Sequence, residues 1–304
     1  QTLWTRIPGK ISKVPYVLCC PEGMLGWRNC PDGKECKNYH IYIRPDTVEI
    51  IRKLYPTKVG IIRKEYSGGA IAEGNVRDGR FSGYAVMTWK NGSVYIGDWE
   101  NSKRNGWGIF RTESGIEYIG EWKDNQRHGW GILSHPNGEE YVGEWSHGKM
   151  HGAGRLSSKN NDVYEGQFAN HTYDGIGSFS RANGDRFMGT MQKGFAIGLG
   201  VLALSTGEKY KGYFDRNSRH GKGACAYPNG SRYAGSWWRG AHEGFGIYVT
   251  DKGERYVGNW RANKKDGVGR YYFMSGDMYD GEFKANKAHG MGFYFHSNGN
   301  IYKG

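Results

Sequence analysis

The chain has 304 residues, a formal net charge of +12, 50 glycines and 11 tryptophans. Glycine at this frequency is typical of disordered segments, but the glycines here recur in phase with aromatic residues, which excludes that class. No apolar run approaches the ~20 residues that a membrane-spanning helix needs, and no secretory signal is visible. The positive charge fits acidic protein surfaces or anionic lipid head groups, and equally fits an ordinary solvated surface.

Residues 1–57 carry four of the five cysteines and lack the repeat that fills the rest of the chain. Cys20, Cys30, Cys36 and His40 are separated by nine, five and three residues. Three thiolates and one imidazole suit a tetrahedral zinc ion, and this clustering favours a metal site in a reducing compartment over a disulfide framework. A loop with free thiols is the alternative, and Cys19 can compete with Cys20. We therefore expect a zinc site within residues 19–40.

The stretch from Cys30 to His40 resembles a CCCH-type zinc finger in its last two spacings and in Gly33. The resemblance implies zinc as a cofactor, because metal binding supplies folding free energy that so short a segment lacks. Fingers of this type also bind single-stranded RNA through aromatic and basic residues. Because residues 1–57 have a net charge of only +4, we favour a structural finger that docks on the array or on a protein partner, with RNA binding as the alternative.

A short amphipathic helix is predicted over residues 46–55. An acidic or hydroxyl residue at position 46 or 47 can cap its start, and a proline lies on either side. Val48, Ile51 and Leu54 share one face of this helix. We expect the helix to close the first end of the array, with engagement of a partner as the alternative.

From residue 58 onward the sequence is organised by a step of 23 residues. Tyrosines recur at this spacing, and each is followed two residues later by a glycine. The tyrosines are Tyr95, Tyr118, Tyr141, Tyr164, Tyr210, Tyr233, Tyr256, Tyr279 and Tyr302. Phe187 interrupts the series, and Ala72 takes the tyrosine position in a degenerate first unit. A register without insertions predicts a stack of units that contact mainly their neighbours.

Each unit has the pattern of a β-hairpin followed by a second turn. Tyr95, Gly97 and Trp99 alternate with other residues, which is the period of a strand. We expect Gly106 and Gly108 of the second strand to lie on the same face of the sheet as Tyr95, Gly97 and Trp99. The flat aromatic rings would then cover the bare backbone of the glycines.

Asparagine-glycine pairs recur at equivalent places in the units, for example Asn91-Gly92. Such pairs predict the tight hairpin turns, because these turns require positive φ angles. Asn161 replaces the glycine of one pair, and asparagine tolerates positive φ better than most residues.

The pattern Gly-x-x-Tyr-x-Gly-x-Trp followed by His-Gly-x-Gly resembles the MORN repeat. Residues 138–145 and 151–154 display it plainly, and about ten tandem copies cover residues 66–304. The resemblance implies an all-β fold, an elongated, twisted, single-layer antiparallel sheet of tandem hairpins with an open groove. At ~4.8 Å per strand and two strands per unit, ten units reach about 100 Å before twist. The predicted domains are residues 1–57, with the finger-like segment and the helix, and residues 58–304.

One row of the array is a candidate for partner binding. We expect these side chains mainly to pack in the core, but their ring edges can also grip a partner helix or peptide, because tryptophan is frequent in binding hot spots. The row consists of Trp99, Trp122, Trp145, Trp237 and Trp260.

Two further rows carry polar side chains, and neither is expected to be a catalytic or metal site. The first row consists of His128, His151, His220 and His289. Ile197 occupies the same repeat position in another unit, and isoleucine cannot bind a metal, so we expect a structural role for the histidines in a turn. Asp98, Glu121 and Glu144 form an acidic row, which we expect to be solvated or to face a partner, because an open sheet offers no cleft for paired carboxylates.

The resemblance implies a function as well as a fold. Arrays of this family occur in cilia, flagellar axonemes and cortical cytoskeletons. It therefore implies a non-enzymatic scaffold that bridges proteins in a cytoplasmic, cytoskeletal assembly, most specifically a radial spoke or doublet-microtubule complex of a cilium or flagellum. A homodimer is compatible with it.

Three alternatives to the axonemal scaffold stay open. The first is a phosphoinositide-binding tether between membrane and cytoskeleton, although no cluster of 4–8 Lys or Arg is visible along the sequence. The second is RNA binding by the finger, although we do not expect nucleic acid as a partner of the array. The third is an accessory role beside an enzyme outside these residues, because the chain begins at Gln1 and stops within a unit at Gly304, and we expect it to continue.

Overall fold

The computed structural model describes residues 61–304, which form one open antiparallel sheet of 22 strands. Each strand pairs with its neighbours in sequence, so the sheet is a meander. The strands are β1 (Ile61–Glu65), β2 (Ile71–Arg77), β3 (Arg80–Thr88), β4 (Val94–Glu100), β5 (Lys103–Arg111), β6 (Glu117–Lys123), β7 (Gln126–Ser134), β8 (Glu140–Ser146), β9 (Lys149–Ser157), β10 (Val163–Ala169), β11 (Thr172–Ser180), β12 (Arg186–Gln192), β13 (Phe195–Ala203), β14 (Lys209–Asp215), β15 (Ser218–Ala226), β16 (Arg232–Trp238), β17 (Ala241–Val249), β18 (Arg255–Arg261), β19 (Lys264–Tyr272), β20 (Met278–Lys284), β21 (Lys287–Phe295) and β22 (Ile301–Lys303).

This architecture confirms the predicted all-β, single-sheet array of tandem hairpins. The predicted zinc site within residues 19–40 and the predicted helix over residues 46–55 lie outside the described residues. Within residues 61–304 there is no helix that is long and apolar enough to cross a membrane.

Each unit has two hairpin connections, and the shorter one joins its two strands. Asn101 and Ser102 form the two-residue loop between β4 and β5, and both have positive φ, 51° and 63°. Two successive positive φ angles match the turns that suit the twist of a hairpin. The Asn91-Gly92 pair lies in the other hairpin connection, between β3 and β4, which has five residues rather than two.

The longer connection needs only one residue with positive φ. Gly92 has a φ of 80°, whereas the Asn91 side chain accepts a hydrogen bond from the Ser93 amide at 3.1 Å. Asn161 has a φ of 64° at the equivalent place, which confirms that asparagine replaces glycine there.

Tight loops also fasten each unit to the one before it. Asn125 donates its amide to the Arg104 carbonyl at 3.0 Å, and its side-chain oxygen accepts from the Arg104 amide at 2.9 Å. Asn217 accepts the Ala196 amide in the same way at 2.7 Å. Neighbouring hairpins are therefore held at their tips as well as along their strands.

The face of the sheet that carries the tyrosines, here called the inner face, is covered by a zigzag of perpendicular rings. The Tyr95 ring lies 5.2 Å from Trp99 of its own unit and 5.4 Å from Trp122 of the next, both edge-on. This arrangement is the preferred one for aromatic pairs. We call this zigzag the aromatic ladder, with members Tyr95, Trp99, Tyr118, Trp122, Tyr141, Trp145, Tyr164, Phe168, Phe187, Tyr210, Phe214, Tyr233, Trp237, Tyr256, Trp260, Tyr279 and Phe283.

Paired glycines make room for the tyrosines of the ladder. A Cβ on Gly108 would lie 2.2 Å from the Tyr95 hydroxyl oxygen, and a Cβ on Gly97 would lie 2.9 Å from it. The prediction that rings cover these two glycines is confirmed. Gly106 differs, because its Cβ would meet Asp98 on the opposite face and its φ is +73°.

The hydroxyl of each ladder tyrosine donates a hydrogen bond to the backbone carbonyl of the residue three positions later. Phe187 has no hydroxyl and cannot form this bond. We expect Phe187→Tyr to raise the free energy of unfolding by about 0.5–1.5 kcal/mol, because its hydroxyl can donate to the Thr190 carbonyl. Tyr210→Phe is the reciprocal control, since the Tyr210 hydroxyl donates to the Tyr213 carbonyl at 2.9 Å. Urea denaturation measures both changes in the free energy of unfolding. If the two variants change it in the same direction, this account is contradicted.

Candidate interaction surfaces

The five tryptophans predicted to touch a partner lie in the core of the sheet. Between 3% and 7% of each side chain is exposed. Their indole nitrogens donate to backbone carbonyls, as Trp122 does to Gly108 at 3.3 Å. Direct contact of these rings with a partner stays a prediction. The small exposed area means that residues lying over the rings would provide most of the contact on the inner face.

A row of side chains lies over the aromatic ladder, one from the start of each nine-residue strand. Its longer members cover the rings, as Arg104, Tyr173 and His242 do, and we call it the lid row. Its members from the second unit onward are Arg104, Arg127, Met150, Tyr173, Ala196, Arg219, His242, Lys265 and Ala288.

The arginines of the lid row stack on tryptophans. The guanidinium carbon of Arg104 lies 4.2 Å from the Trp122 ring centre, and that of Arg127 lies 4.3 Å from Trp145. Burial lowers the pKa of both arginines, which remain charged at neutral pH. Within residues 61–304 neither forms an ion pair, whereas Arg219 of the same row pairs with Glu208. Arg104 and Arg127 therefore present half-buried positive charge on the inner face.

A shallow depression lies beside Arg127 on the inner face. Tyr141, Trp145 and Met150 form its apolar floor. The remaining lining residues are Leu133, His135, Glu139, Leu156 and His171. Burial lowers the pKa of His171, and the nearby positive charge of Arg127 lowers it further. The depression combines aromatic surface with a cation, which suits an aromatic or acidic side chain of a partner.

The histidine of the lid row closes the inner face further along. His242 stacks on Tyr233 with ring centres 3.6 Å apart, and its Nε2 shares a hydrogen bond of 2.7 Å with the Tyr227 hydroxyl. Burial lowers the pKa of His242 to about 4. Burial also raises the pKa of the nearby Cys225 thiol to about 11, with a further contribution from its hydrogen bond to Glu208. A neutral imidazole and a protonated thiol indicate packing rather than reactivity.

The acidic row supports the backbone on the opposite side, here called the outer face. In each hairpin three residues of the long strand face one residue of the short strand, which is a β-bulge. The Asp98 carboxylate accepts the amide of Trp107 within the bulge at 3.2 Å, and Glu121 accepts that of Trp130 at 3.0 Å. Asp98 and Glu144 are exposed, as expected for a solvated or partner-facing row, and the row also bonds backbone amides that the bulge removes from strand pairing.

The histidine row also belongs to the bulge. Each histidine directly precedes a glycine with positive φ, as His128 precedes Gly129 with a φ of 58°. In the part of the chain that the structure describes, no three His, Cys, Asp or Glu side chains come together as a metal site. The predicted structural role in a turn fits this position.

Cross-strand alignment creates a basic row on the outer face that the linear sequence hides. The side chains are exposed, start every second strand and lie 23 residues apart; they are Arg186, Lys209, Arg232 and Arg255. The sequence shows no local cluster of basic residues here, because the members of this row never lie close in sequence. Comparing positions one period apart would have found it.

Comparison with protein families identifies the repeat. The MORN repeat matches residues 73–94, 95–116, 118–140, 141–163, 164–186, 210–232, 233–255, 256–278 and 279–301. The chain belongs to the MORN repeat family. Nine units match, fewer than the ten predicted, because the match passes over the unit that begins at Phe187. MORN repeats indicate a protein-interaction or scaffold role.

Solved structures share limited similarity with this MORN array. The TCP10 domain of Danio rerio CPAP is 14% identical, with 65% of this chain and 94% of that chain covered and a TM-score of 0.36. The TCP domain of Drosophila melanogaster SAS-4, in complex with a proline-rich motif of Ana2, is 16% identical, with coverages of 51% and 85% and a TM-score of 0.32. TM-scores this low do not establish a shared fold. No curated protein matches the chain.

Proposed function

We propose that this MORN protein is a non-enzymatic scaffold that bridges proteins in a cytoskeletal assembly of the cytoplasm, the axoneme of a cilium or flagellum. The observation that carries the proposal is the lid row, which places a cation or a flat ring at six of its nine positions on the inner face of the sheet. A partner that lies along the inner face can therefore contact such side chains at several units. Several weak contacts of this kind add to a strong attachment.

Arginines of the lid row are the side chains best placed to hold such a partner. Arg104 and Arg127 are pre-oriented by stacking on Trp122 and Trp145, so little side-chain entropy is lost when they bind. Their partial burial strengthens a bond to a partner carboxylate relative to a fully solvated cation. We infer that the partner on this part of the array is an acidic segment that also carries apolar or aromatic residues.

Proximity labelling in a ciliated cell tests this function. The full chain is compared with a variant carrying Arg104→Met and Arg127→Met, since Met150 shows that methionine fits the same phase of the repeat. We expect the full chain to enrich axonemal proteins and the variant to lose them. The control carries Lys123→Met and Lys159→Met, the same charge change at exposed positions. A set dominated by ribonucleoproteins, or enrichment that persists in the arginine variant, would contradict the proposal.

An anionic membrane surface is a second candidate, which the basic row on the outer face favours. Arg186, Lys209, Arg232 and Arg255 start alternate strands and are therefore spaced by roughly 10 Å along one side of the sheet. Each such residue near an anionic membrane contributes about 1 kcal/mol of attraction. Sedimentation with phosphoinositide vesicles at physiological salt separates this tether from a scaffold that binds proteins alone.

Zinc at Cys20, Cys30, Cys36 and His40 remains a proposal about the segment that precedes the described sheet. The donor set of three thiolates and one imidazole fits zinc. In that case the segment would carry a second attachment point, so that the array and the finger join different molecules.

A further inference from the structure

The unit formed by β12 and β13 departs from the repeat on the outer face. Strand β13 presents apolar residues at all five alternating positions, Phe195, Ile197, Leu199, Val201 and Ala203. No other nine-residue strand of the described sheet does so. The MORN match also omits residues 187–209, so the repeat alone does not explain the sequence of this unit.

These residues join apolar side chains of neighbouring strands in a contiguous exposed patch across β11 to β14. The register places Met188 beside Val201 and Leu199 beside Tyr213. The outer apolar patch consists of Ile176, Met188, Phe195, Leu199, Val201 and Tyr213, which are between 39% and 70% exposed. An exposed apolar surface of this kind marks an interaction site.

Three cations border the patch along one side. Arg186 and Lys209 lie on either side of Ala203. Lys211 lies beside Val201. All three cations are exposed, and none of the ion pairs within the described sheet includes them. Charge complementarity therefore selects a partner that brings acidic residues to this side of the patch.

The other side of the patch differs in charge. The strand positions there are Gln192 on β12 and the exposed carboxylate of Asp215 on β14. A flat anionic membrane pressed on the patch would also meet that carboxylate, whereas a narrow partner can contact the cations without approaching it. The one-sided charge favours a helix that carries an acidic stripe beside an apolar stripe.

The spacing of the cations also fits a helix. Arg186 and Lys209 start strands that lie two apart in the sheet, so they are separated by roughly 10 Å. Residues seven apart in an α-helix return to nearly the same face after about 10.5 Å. An extended segment repeats its face every ~7 Å and does not match this step. A helix about 10–12 Å wide can therefore lie across the strands, with its apolar stripe over Leu199 and Val201 and its acidic stripe at the cations.

We propose that the outer apolar patch binds an amphipathic α-helix of a partner protein, whose acidic residues lie seven positions apart and pair with Arg186 and Lys209. Four strands span roughly 19 Å, which a helix of about 13 residues covers. So small a contact fits a dissociation constant in the micromolar range. The inference goes beyond the scaffold proposed for the inner face, because it adds a binding site on the opposite side of the sheet.

Fluorescence polarisation with synthetic helices tests the proposal. The acidic probe is a labelled peptide of about 21 residues, long enough to form a helix in water, with a leucine stripe and a glutamate stripe beside it. Two matched probes replace its glutamates with lysine or its leucines with glutamine. We expect the full chain to bind the acidic probe with a micromolar dissociation constant, at least ~10-fold tighter than either matched probe.

Truncation of the patch should weaken this binding. We expect Leu199→Ala combined with Val201→Ala to raise the dissociation constant of the acidic probe at least ~10-fold. Alanine occupies the same two repeat positions in other units, as Ala153 and Ala224, so this patch variant is compatible with the fold.

Matched controls change the same repeat positions outside the patch. Phe245→Ala combined with Ile247→Ala alters β17, where these side chains are 53% and 38% exposed, and should leave the dissociation constant unchanged. Lys209→Glu should raise the constant about 5-fold, because an attraction becomes a repulsion. Arg255→Glu, at the same repeat position two units further on, should have little effect. Glu140 shows that glutamate fits this position.

Each other outcome overturns the proposal. A full chain that binds none of the probes excludes a helix site, and equal binding of the lysine probe excludes the charge pairing. A patch variant that binds as tightly as the full chain excludes the patch as the contact. Phosphoinositide vesicles that sediment the full chain but not the patch variant, without binding of the acidic probe, would identify a membrane surface instead.

The inner face provides the last comparison, because Arg104 and Arg127 also attract acidic segments. The variant with Arg104→Met and Arg127→Met should bind the acidic probe as tightly as the full chain. Loss of binding in this variant alone would place the probe on the inner face and overturn the proposal. Retained probe binding in a variant that loses its axonemal partners would support the outer site and leave only the scaffold in question.

Discussion

Replacing Trp237 with alanine is expected to lower the free energy of unfolding by about 3–5 kcal/mol, the range for deleting a buried large aromatic side chain. Its side chain is 3% exposed and lies edge-on to Tyr210 and Tyr233, with ring centres 5.2 and 5.1 Å away. Its indole nitrogen donates to the Gly223 carbonyl at 3.2 Å. The substitution removes one ring contact to the preceding unit and one within its own unit, and it leaves that carbonyl without its indole donor.

The adjacent tryptophan provides a control in the same strand. Trp238 points to the outer face and is 53% exposed. We expect Trp238→Ala to change stability by less than about 1 kcal/mol, as for most surface substitutions. Urea denaturation followed by circular dichroism measures both losses. Similar losses of stability for the two variants would contradict a core that lies only on the inner face of the sheet.

The location of the defect is a second readout of the same variant. Units of a linear array contact mainly their neighbours, so a lesion weakens the sheet locally. Hydrogen exchange of Trp237→Ala should accelerate most in β14 to β18, the strands that share rings with this position. Uniform acceleration from β1 to β22 would instead mean that the array unfolds as one cooperative unit.

Periodicity in the sequence is sufficient to predict the sheet and its core. Tyr95, Gly97 and Trp99 recur at a fixed step, and a side chain that alternates on a strand must return to the same face. The match of large rings with bare glycines is a local steric relation, so it can be read without knowing the rest of the fold. This is why the strand architecture and the ring-covered glycines Gly97 and Gly108 are confirmed.

The sequence does not distinguish the two kinds of connection in each unit, because both contain residues with positive φ. Asn91-Gly92 carries the stronger sequence signal, yet Asn101 and Ser102 adopt the tight loop. Two-residue loops here tolerate varied residues because hydrogen bonds to the preceding unit hold them, as Ser102 donates its amide to the Phe81 carbonyl at 2.9 Å. A contact between units is not visible in the propensities of single residues.

The candidate surfaces depend on which side chains lie beside one another on neighbouring strands. The order of residues along the chain does not show this directly. The tryptophan row packs in the core, as mainly expected, but the sequence does not show that Arg104 and Arg127 lie over the Trp122 and Trp145 rings. Asp98 was expected to be solvated or to face a partner, and nothing in the local sequence reveals that a bulge also leaves the Trp107 amide within its reach. Both outcomes follow from the two extra residues in each long strand, and a pattern of glycine and histidine alone does not specify their register.

Gly131→Ala is expected to destabilise the array by about 3 kcal/mol or more, beyond the usual cost of overpacking, because the neighbouring ring cannot move aside. A Cβ at this position would lie 2.3 Å from the Tyr118 hydroxyl oxygen and 2.6 Å from its Cζ. The ring is fixed between Trp122 and Trp145, with centres 5.0 and 5.4 Å away, and its hydroxyl donates to the Glu121 carbonyl at 3.0 Å. Relieving the clash therefore requires breaking the ladder in two units.

Two other glycines separate this steric effect from the conformational one. Gly68→Ala should be nearly neutral, because nothing lies within 4 Å of its added Cβ and its φ is ordinary. Gly138→Ala also has open space but a φ of +87°, so we expect a loss of about 1–2 kcal/mol. Thermal and urea denaturation of the three variants should rank Gly131→Ala as the most harmful, followed by Gly138→Ala and then Gly68→Ala. A loss at Gly131 no larger than that at Gly138 would mean that the ring can yield, and the ladder would then be a set of independent contacts rather than a continuous core.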